Sequence, residues 1–396
     1  MSNEATSVDI LIVGAGIAGT TLALELHKRG AKIAIIDAFN PYSSSRVAAG
    51  MMNPMVPRNV QKTWHCDDLF PQVFEYYGEW EQKMNAEFIH AIPTLQVHKN
   101  ESHTKNWSKR SREKGFNHHL TTVEPISTID SFGIPLPFGA AITELSGKLD
   151  VSVFLECAKN YLIYHGVLWI SDQFEYSQLN LDTNVYELGG LEIASSETEM
   201  NFPFDNSNYN SEMDKTSVVD TFESNSLKFE KLVFAQGVGM FENPWFNYLP
   251  LNATGGDLIT LEFEDLPQNF ILKRKEWLVP IGNNRWIGGS TYHKNSLTTL
   301  PQQQDLTELL QTFSEWIPKT PKVVGHIRAA RPTVETWRPF LGQHPEESSL
   351  YVYNGLGSKG SSLVVMLSPM YADFLLGSGE LMSEVDIKRI QKQSPS

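Results

Sequence analysis

The stretch that most constrains this chain is residues 8–37, which read VDILIVGAGIAGTTLALELHKRGAKIAIID. An apolar run leads into Gly14-Ala15-Gly16-Ile17-Ala18-Gly19, a segment with helical spacing follows, and a second apolar run ends on Asp37. Strand, tight turn, helix and strand within about thirty residues is the size of one βαβ unit. The sequence therefore predicts an α/β fold with a Rossmann-type nucleotide-binding domain.

Each part of this motif has a physical role in holding a dinucleotide. Gly14 permits the tight turn, Gly16 lets a pyrophosphate approach the backbone, and Gly19 lets the helix pack closely on the strand. The start of the helix offers free N–H groups and a positive dipole end to the phosphates. Asp37 lies where a carboxylate accepts ribose hydroxyls and disfavours a 2′-phosphate, so FAD or NAD is expected rather than NADP. The alternative is a βαβ unit that uses its glycines only for packing.

Composition limits the remaining classes. At 396 residues the chain exceeds the usual size of a single core, and one large domain or two interleaved domains are expected. The net charge of −14 disfavours a broad nucleic-acid surface. Cys66 and Cys157 stand far apart, which fits a reducing compartment and no cysteine-built metal site. Neither a signal peptide nor an 18-residue apolar window is present, so we expect no membrane association and a cytoplasmic location. No metal site is predicted.

The middle of the chain indicates a second, β-rich part. Residues 257–263 alternate between apolar and polar, and 271–281 and 285–291 have the composition of strands joined at Gly282-Asn283-Asn284. A helix over 304–317 is expected to flank this antiparallel sheet. The acidic stretch 195–226 has the composition of a solvated insertion, and we attach no function to it.

Three patches together resemble the D-amino-acid oxidase superfamily of FAD enzymes, nearest to the glycine/sarcosine oxidase type. The first patch is the 14–37 motif. The second, SSRVAAGM at 44–51, is similar to the family's S-x-x-A-A-G-[ML] loop over the flavin; on spacing alone a surface loop is an equal interpretation. The third runs from ARP at 330–332 through RPFLG at 338–342 to GLGSKG at 355–360, similar to the family's L-R-P…P-x-I-G…G-H-x-x-x-G ending. The resemblance spans nearly the whole chain apart from 195–226.

This resemblance implies a fold and a chemistry. The fold is an FAD-binding α/β domain interleaved with an α+β substrate domain, whose antiparallel sheet lies over the flavin. The chemistry is hydride transfer to flavin N5 from the carbon next to an amine, which gives an imine that hydrolyses. Reduced flavin then passes its electrons to O₂ or another acceptor. We divide the chain into FAD-binding parts 1–75, 142–245 (with the acidic insertion) and 325–396, and substrate parts 76–141 and 246–324.

The resemblance also implies residue roles. Arg331 matches the arginine that pairs with the substrate carboxylate, since a guanidinium offers a planar fork to a carboxylate. Arg328 is its nearest competitor. Trp277, Tyr292 and Tyr351 are candidates for lining the substrate cavity, and a core role is an equal alternative for each. The predicted cofactor-binding residues are Gly14, Ala15, Gly16, Ile17, Ala18, Gly19, Asp37, Ser44, Ser45, Ala49, Gly50, Met51, Ala235, Gly237, Gly355, Gly357, Ser358, Lys359 and Gly360.

Departures from the pattern limit what carries over. Sarcosine oxidases attach FAD through a late cysteine, and none follows Cys157, so FAD is expected to be noncovalent. Their O₂-activating lysine is missing from the comparable strand, 286–289, which leaves open a dehydrogenase with another acceptor. The GLGSKG ending is also similar to the oxidase half of the bifunctional enzyme that trims a carboxymethylaminomethyl group from wobble uridine in tRNA. A small amine or amino acid is the expected substrate, modified tRNA is the alternative, and a non-catalytic dinucleotide-binding protein is a third.

Overall fold

The computed structural model describes residues 5–56, 60–116, 120–125, 132–188 and 225–391. The insertion expected at 195–226 lies outside these residues except for its last two. Within the described part, no helix has the length and apolar character needed to cross a membrane.

The elements are numbered in chain order. The strands are β1 (Thr6–Val13), β2 (Ile33–Ile36), β3 (Met51–Met52), β4 (Met55–Val56), β5 (Gln61–Lys62), β6 (Ile89–Ala91), β7 (Thr94–Val97), β8 (Thr121–Val123), β9 (Ala140–Thr143), β10 (Gly147–Leu149), β11 (Leu168–Ile170), β12 (Leu179–Asn180), β13 (Val185–Glu187), β14 (Ser226–Phe234), β15 (Leu251–Glu262), β16 (Ile271–Lys273), β17 (Trp277–Pro280), β18 (Arg285–Gly289), β19 (His293–Lys294), β20 (Lys322–Val334), β21 (Phe340–Gln343) and β22 (Leu350–Asn354). The helices are α1 (Ile17–Lys28), α2 (Cys66–Met84), α3 (Glu101–Ser111), α4 (Val151–Tyr164), α5 (Gln303–Ser314), α6 (Gly360–Leu375) and α7 (Lys388–Gln391), with 3₁₀ turns at Tyr176–Gln178 and Gly237–Glu242.

The first sheet has the strand order β11-β2-β1-β14-β13-β12, with β22 also beside β14 and β21 beside β22. Strands β11, β2, β1, β14 and β22 are parallel. Their register aligns Val13 with both Ile36 and Phe234. The carboxyl ends of these strands therefore meet at one edge, where ligands of open α/β sheets bind.

Both faces of this sheet are covered by apolar side chains. Ile10 and Ile12 point into the core formed with α1, α4 and α6, whereas Leu11 and Val13 point into the opposite core. Helix α1 is buried on nearly all sides, since Leu22, Ala23, Leu24 and Leu26 are all fully buried. The predicted βαβ unit is thus the centre of the molecule.

The second sheet has the order β19-β15-β18-β17-β16-β7-β9-β8, with β20 also paired to β15. It is mainly antiparallel, as the sequence predicted for 257–291. Helix α5 covers one face, where Leu309 and Phe313 pack on Leu272 and Leu278. A glycine makes this packing possible, because a Cβ on Gly288 would lie 2.8 Å from Leu278 and from Phe313.

The domain division expected at 325 cuts through a strand. Residue 325 lies within β20, which pairs along its whole length with β15 in the second sheet. We therefore propose to place that boundary in the loop before β21. Helix α6 contains Pro369 and continues through it. Because proline removes only one N–H donor, the buried apolar side chains of α6 outweigh the local cost.

Candidate active site

The carboxyl edge of the first sheet brings the glycine motif and Asp37 together. The Ala15 N–H donates to Asp37 Oδ1 at 2.8 Å, and the Phe39 N–H donates to Oδ2 at 3.1 Å. A carboxylate oxygen has two lone pairs, so both oxygens retain capacity for ribose hydroxyls. The end of β14 lies at this edge too, because a Cβ on Gly14 would be 2.6 Å from the carbonyl oxygen of Ala235, the residue after β14. Asn354 Nδ2 donates to the Gly237 carbonyl at 2.8 Å and ties β22 to this edge.

The three glycines of the motif have different surroundings. A Cβ on Gly19 would lie 1.9 Å from the Gly14 carbonyl oxygen, so Gly19 serves helix–strand packing. A Cβ on Gly16 would meet only the Ser45 side chain, with the nearest atom at 3.0 Å. Gly16 is also the N-cap of α1 and, as a glycine, has no side chain to cover the start of the helix. The backbone at Gly16 is therefore open to a ligand, and its contact with a pyrophosphate stays a prediction.

The 44–51 loop lies against the start of α1. Ser45 Oγ accepts a hydrogen bond from the Ile17 N–H at 3.1 Å. Gly50 has φ +62°, and a Cβ there would be 1.8 Å from the Leu149 carbonyl oxygen. Met51 pairs with Lys148 of β10. Ser44, Ala48 and Ala49 are half-buried between these points, so the loop is part of the site's wall.

The GLGSKG segment connects the two sheets. The Gly357 N–H donates to the Pro332 carbonyl on β20 at 3.0 Å, and Gly355 has φ +83° with no room for a Cβ beside Val334. A Cβ on Gly360 would be 3.1 Å from Ile17 Cγ2, so helices α6 and α1 begin side by side. Two helix N-termini thus converge at the nucleotide site, where anions are stabilised.

These residues fit FAD. The cradle at Gly16 lacks a side chain, and two helix dipoles point their positive ends at one place. In the first turn of α6, Ser362 Oγ is buried and has no hydrogen-bond partner among the described residues. A buried hydroxyl of this kind is normally satisfied by a ligand or a water. The donors and the shape both suit a large anionic dinucleotide.

Arg331 and Arg328 lie on opposite faces of β20. Arg331 Nη1 donates to Ser290 Oγ and Nη2 to the Thr291 carbonyl, both at 3.3 Å, and its guanidinium lies 4.7 Å from the ring centre of Tyr292. It pairs with no carboxylate among the residues that the structure describes. Arg328 is buried and paired with Asp257 at 2.5 Å and Asp305 at 2.8 Å. Arg328, the competitor named from the sequence, is therefore occupied by the protein itself.

A network that the sequence did not reveal holds the Arg331 acceptors. Thr291 Oγ1 donates to Asp305 Oδ2 at 3.0 Å and accepts from the Asp257 N–H at 2.9 Å. His293 Nε2 lies 2.7 Å from the same Asp305 oxygen. Burial by itself would raise the pKa of Asp305, but the hydrogen bonds from Thr291 and His293 hold it below its usual value. Asp305 comes from α5, so only tertiary structure joins these residues.

The three candidate lining residues fall in different places. Trp277 is half-buried on the sheet face that α5 does not cover. Tyr292 is 64% exposed and lies beside Arg331. Tyr351 is instead buried between the first sheet and its helices, with its ring 6.4 Å from that of Phe374. The structure does not bring Tyr351 to Arg331, because β22 belongs to the first sheet.

Two lysines stand out electrostatically. Burial lowers the pKa of Lys359 to about 8. Burial and, secondarily, the charge of Lys359 lower the pKa of Lys273 to about 7. Lys359 was a candidate from the sequence, whereas Lys273 was not. The only sequence signal for Lys273 was its position directly after the apolar pair Ile271-Leu272.

Comparisons with known proteins include two curated relatives of low identity. Two curated relatives carry the name tRNA 5-methylaminomethyl-2-thiouridine biosynthesis bifunctional protein MnmC: one from Acinetobacter baylyi and one from Pseudoalteromonas atlantica, each 22% identical over 418 residues. The matches cover 99% and 94% of this chain but only 57% and 56% of the relatives, so the chain spans about half of their length.

Solved structures show the same fold. Glycine oxidase from Geobacillus kaustophilus matches with a TM-score of 0.72 and 15% identity, covering 95% of this chain and 96% of that one. L-proline dehydrogenase from P. horikoshii matches with a TM-score of 0.74 and 13% identity, covering 99% and 100%. Iminodiacetate oxidase from Chelativorans sp. BNC1 matches with 0.71 and 16%, covering 95% and 99%.

The family model described as DAO, FAD dependent oxidoreductase, matches residues 9–172, which include the glycine motif, Asp37 and the 44–51 loop. The resemblance seen in the sequence is therefore confirmed over residues 9–172, where the chain is similar to the DAO family of FAD-dependent oxidoreductases. Over nearly the whole chain the fold is shared with glycine oxidase and L-proline dehydrogenase.

Proposed function

We propose that this protein oxidises the C–N bond of an amino acid or N-substituted glycine, with Arg331 binding the substrate carboxylate. The observation that carries the proposal is the contrast on β20. Arg328 is neutralised by two carboxylates, whereas Arg331 has only neutral oxygen partners among the described residues. A guanidinium held in place by neutral acceptors keeps its charge available for a ligand.

Different residues of the chain bind the cofactor and the substrate. FAD, when bound, supplies the acceptor for a hydride from the carbon next to the substrate nitrogen. Gly16, Asp37 and the start of α1 hold its dinucleotide part. Arg331 orients the carboxylate, and Trp277 gives an apolar wall on the same sheet face. Ser290 and Thr291 fix the guanidinium, so that little reorganisation is required on binding.

The names of the structural neighbours support a small amine or amino acid substrate. Glycine oxidase, L-proline dehydrogenase and iminodiacetate oxidase share the fold. The identity to each neighbour is below 20%, so the neighbours are evidence for the fold only. The proposal that the substrate carries a carboxylate is supported by Arg331. Oxidation of a group on tRNA is the second candidate, because the curated relatives carry that name over 94–99% of this chain. The net charge of −14 speaks against it.

The test is anaerobic reduction of the bound flavin. Purified holoprotein is mixed with glycine, sarcosine, proline or a D-amino acid, and the visible flavin bands are followed. Bleaching by a small amine that carries a carboxylate is the expected result. Bleaching by tRNA bearing a carboxymethylaminomethyl group, with no response to any small amine, would favour the second candidate. Reoxidation by O₂, compared with reoxidation by an artificial dye, then identifies the acceptor class.

Replacement of Arg331 tests the anchor. We expect Arg331→Ala to raise KM roughly 30- to 1000-fold, since a charge-assisted pair contributes about 2–4 kcal/mol. Arg331→Lys should recover part of this loss, because the charge returns without the planar fork. Arg110→Ala is the control, since Arg110 pairs with Glu113 on the surface of α3. An unchanged KM in Arg331→Ala would refute the assignment.

A further inference from the structure

A row of residues crosses the second sheet on the face that α5 leaves free. Leu272 and Leu278 form a cross-strand pair and pack toward α5. Because side chains alternate along a strand, the next pair, Lys273 with Trp277, points to the opposite face. Trp277 in turn pairs with Gly289 of β18.

Arg331 reaches the same row from the other side. Gly289 pairs with Leu258 of β15, and Thr254, four residues before Leu258, pairs with Arg331. The even spacing places Arg331 on the free face, and its guanidinium contacts Ser290, the neighbour of Gly289. Two strand spacings, about 10 Å, separate the backbones of Gly289 and Lys273. The ring of Trp277 lies between, since a Cβ on Gly289 would be 3.5 Å from Trp277 Cη2.

Neither Lys273 nor Lys359 has a counter-charge in the described part of the chain. Lys359 Nζ donates to the Asn53 carbonyl at 3.1 Å and to Thr63 Oγ1 at 3.4 Å, and both acceptors are neutral. The Lys273 ammonium makes no ion pair or hydrogen bond with a described residue, although the Lys273 carbonyl accepts from Gln96 Nε2. The chain has 46 acidic and 32 basic residues, so carboxylates are plentiful elsewhere. Both lysines are half-buried. Partly burying two like charges without partners is costly unless a ligand supplies the opposite charge.

We propose that Lys273 binds a second carboxylate of the substrate, at the far end from the carboxylate bound by Arg331. The preferred substrate is then an amine flanked by two carboxylate arms, such as iminodiacetate, rather than a monocarboxylate such as sarcosine. This inference rests on the proposed function and goes beyond it by naming the substrate class. Trp277 supplies the apolar surface over the methylene groups between the two charged ends.

The two cationic groups explain why a dicarboxylate should bind more tightly than a monocarboxylate. A dicarboxylate satisfies both cationic ends of the row at once, whereas a monocarboxylate leaves one half-buried ammonium unpaired. A site built to bind a group discriminates strongly against the analogue that lacks it. Removing the ammonium of Lys273 should therefore lower the affinity for dicarboxylates about 10- to 100-fold and leave monocarboxylates nearly unchanged.

The experiment measures binding of ligands that cannot be oxidised. Diglycolate and methoxyacetate are the ether analogues of iminodiacetate and sarcosine, and they differ by one carboxylate. Their dissociation constants with the holoenzyme are measured by titration calorimetry and by the shift of the flavin bands. The variants are Lys273→Met, Lys273→Arg for charge rescue, and Lys275→Met as the matched control. Lys275 is an exposed lysine two positions along the chain, and its ammonium pairs with Glu276.

We expect the wild type and Lys275→Met to prefer diglycolate, Lys273→Met to lose this preference, and Lys273→Arg to retain most of it. The proposal is overturned if Lys273→Met weakens both ligands equally, or if it slows only the reoxidation of reduced flavin. If sarcosine bleaches the flavin but the diglycolate preference is absent from the wild type, the inference fails while the proposed function stands. If no small carboxylate binds, both fail.

Discussion

At the scale of single residues, Arg328 and Arg331 show how strand register determines which partners an arginine meets. The two arginines are three positions apart on one strand, an odd spacing, and so they occupy opposite faces of the sheet. One face carries Asp257 and, from α5, Asp305; the other carries only neutral partners for Arg331 in the described residues. The sequence favoured Arg331 through the family resemblance and left Arg328 as its competitor, because the faces of the two arginines depend on pairing with β15.

This contrast predicts different consequences for stability. Arg328→Ala leaves Asp257 and Asp305 buried without their cation, which should cost roughly 3–5 kcal/mol of unfolding free energy. Arg331→Ala removes no ion pair with a described residue and should cost less than about 1 kcal/mol. Urea denaturation followed by circular dichroism measures both. Equal losses in the two variants would show that Arg331 is also structural.

The buried lysines predict a pH dependence of stability. The pKa of Lys273 falls from the usual 10.5 to about 7 in the folded chain, mainly because of burial. The unfolded chain thus binds more protons between these values, so the stability of the substrate-free protein should rise as pH increases from about 7 toward 10.5. Lys273→Met should flatten this rise. The melting temperature of the variant relative to wild type, measured across that window, checks the sign, and a parallel profile for both proteins would contradict it.

At the scale of elements, the start of α1 separates a structural glycine from a cofactor glycine. Gly19→Ala would place a Cβ 1.9 Å from the Gly14 carbonyl oxygen, so both folding and FAD binding should suffer. Gly16→Ala meets only the Ser45 hydroxyl at 3.0 Å, so the fold should survive while FAD affinity falls. Fluorescence titration of the apoprotein with FAD, together with thermal unfolding, distinguishes the two.

The matched control is Gly78→Ala in α2, where a Cβ meets nothing within 4 Å. Replacing a helical glycine there should be neutral or stabilising by up to about 1 kcal/mol. Full FAD affinity in Gly16→Ala would mean that the phosphates do not approach this backbone.

Elements with strong periodicity were predictable, but their limits were less so. The strands on either side of Gly282-Asn283-Asn284 are confirmed as β17 and β18, but the strand expected over 271–281 is divided into β16 and β17, which pair antiparallel. The helix expected over 304–317 is confirmed as α5, which ends at Ser314. Such limits depend on tertiary pairing and packing, which local sequence does not show. The cofactor cradle was accessible to sequence analysis because its residues are contiguous.

At the scale of the whole molecule, the proposed site combines residues from distant segments of the chain. Arg331 comes from β20, Trp277 from β17, Lys359 from the start of α6 and Asp305 from α5. Spacing along the sequence cannot predict that these residues lie together, because strand order and register bring them together. Tyr351 shows the reverse case, in which a plausible aromatic residue belongs to the other sheet.

The distribution of cysteines predicts how FAD is attached. Burial raises the pKa of Cys66 to about 11 and that of Cys157 to about 12, so both thiols stay protonated and unreactive at neutral pH. We propose that FAD is held noncovalently. Acid precipitation of the holoprotein should release all of its yellow colour into the supernatant. Flavin that stays with the pellet would indicate a covalent bond.

The proposed activity requires a bound flavin that accepts electrons from a carboxylate-bearing amine. The most direct measurement is the anaerobic visible spectrum of the holoprotein during titration with sarcosine and with iminodiacetate, repeated with Arg331→Ala. We predict that both amines bleach the oxidised flavin bands, iminodiacetate at lower concentration, and that Arg331→Ala shifts both titrations to much higher concentrations. Flavin bands that stay unchanged with every small carboxylate-bearing amine, or that bleach identically in Arg331→Ala, would contradict the account.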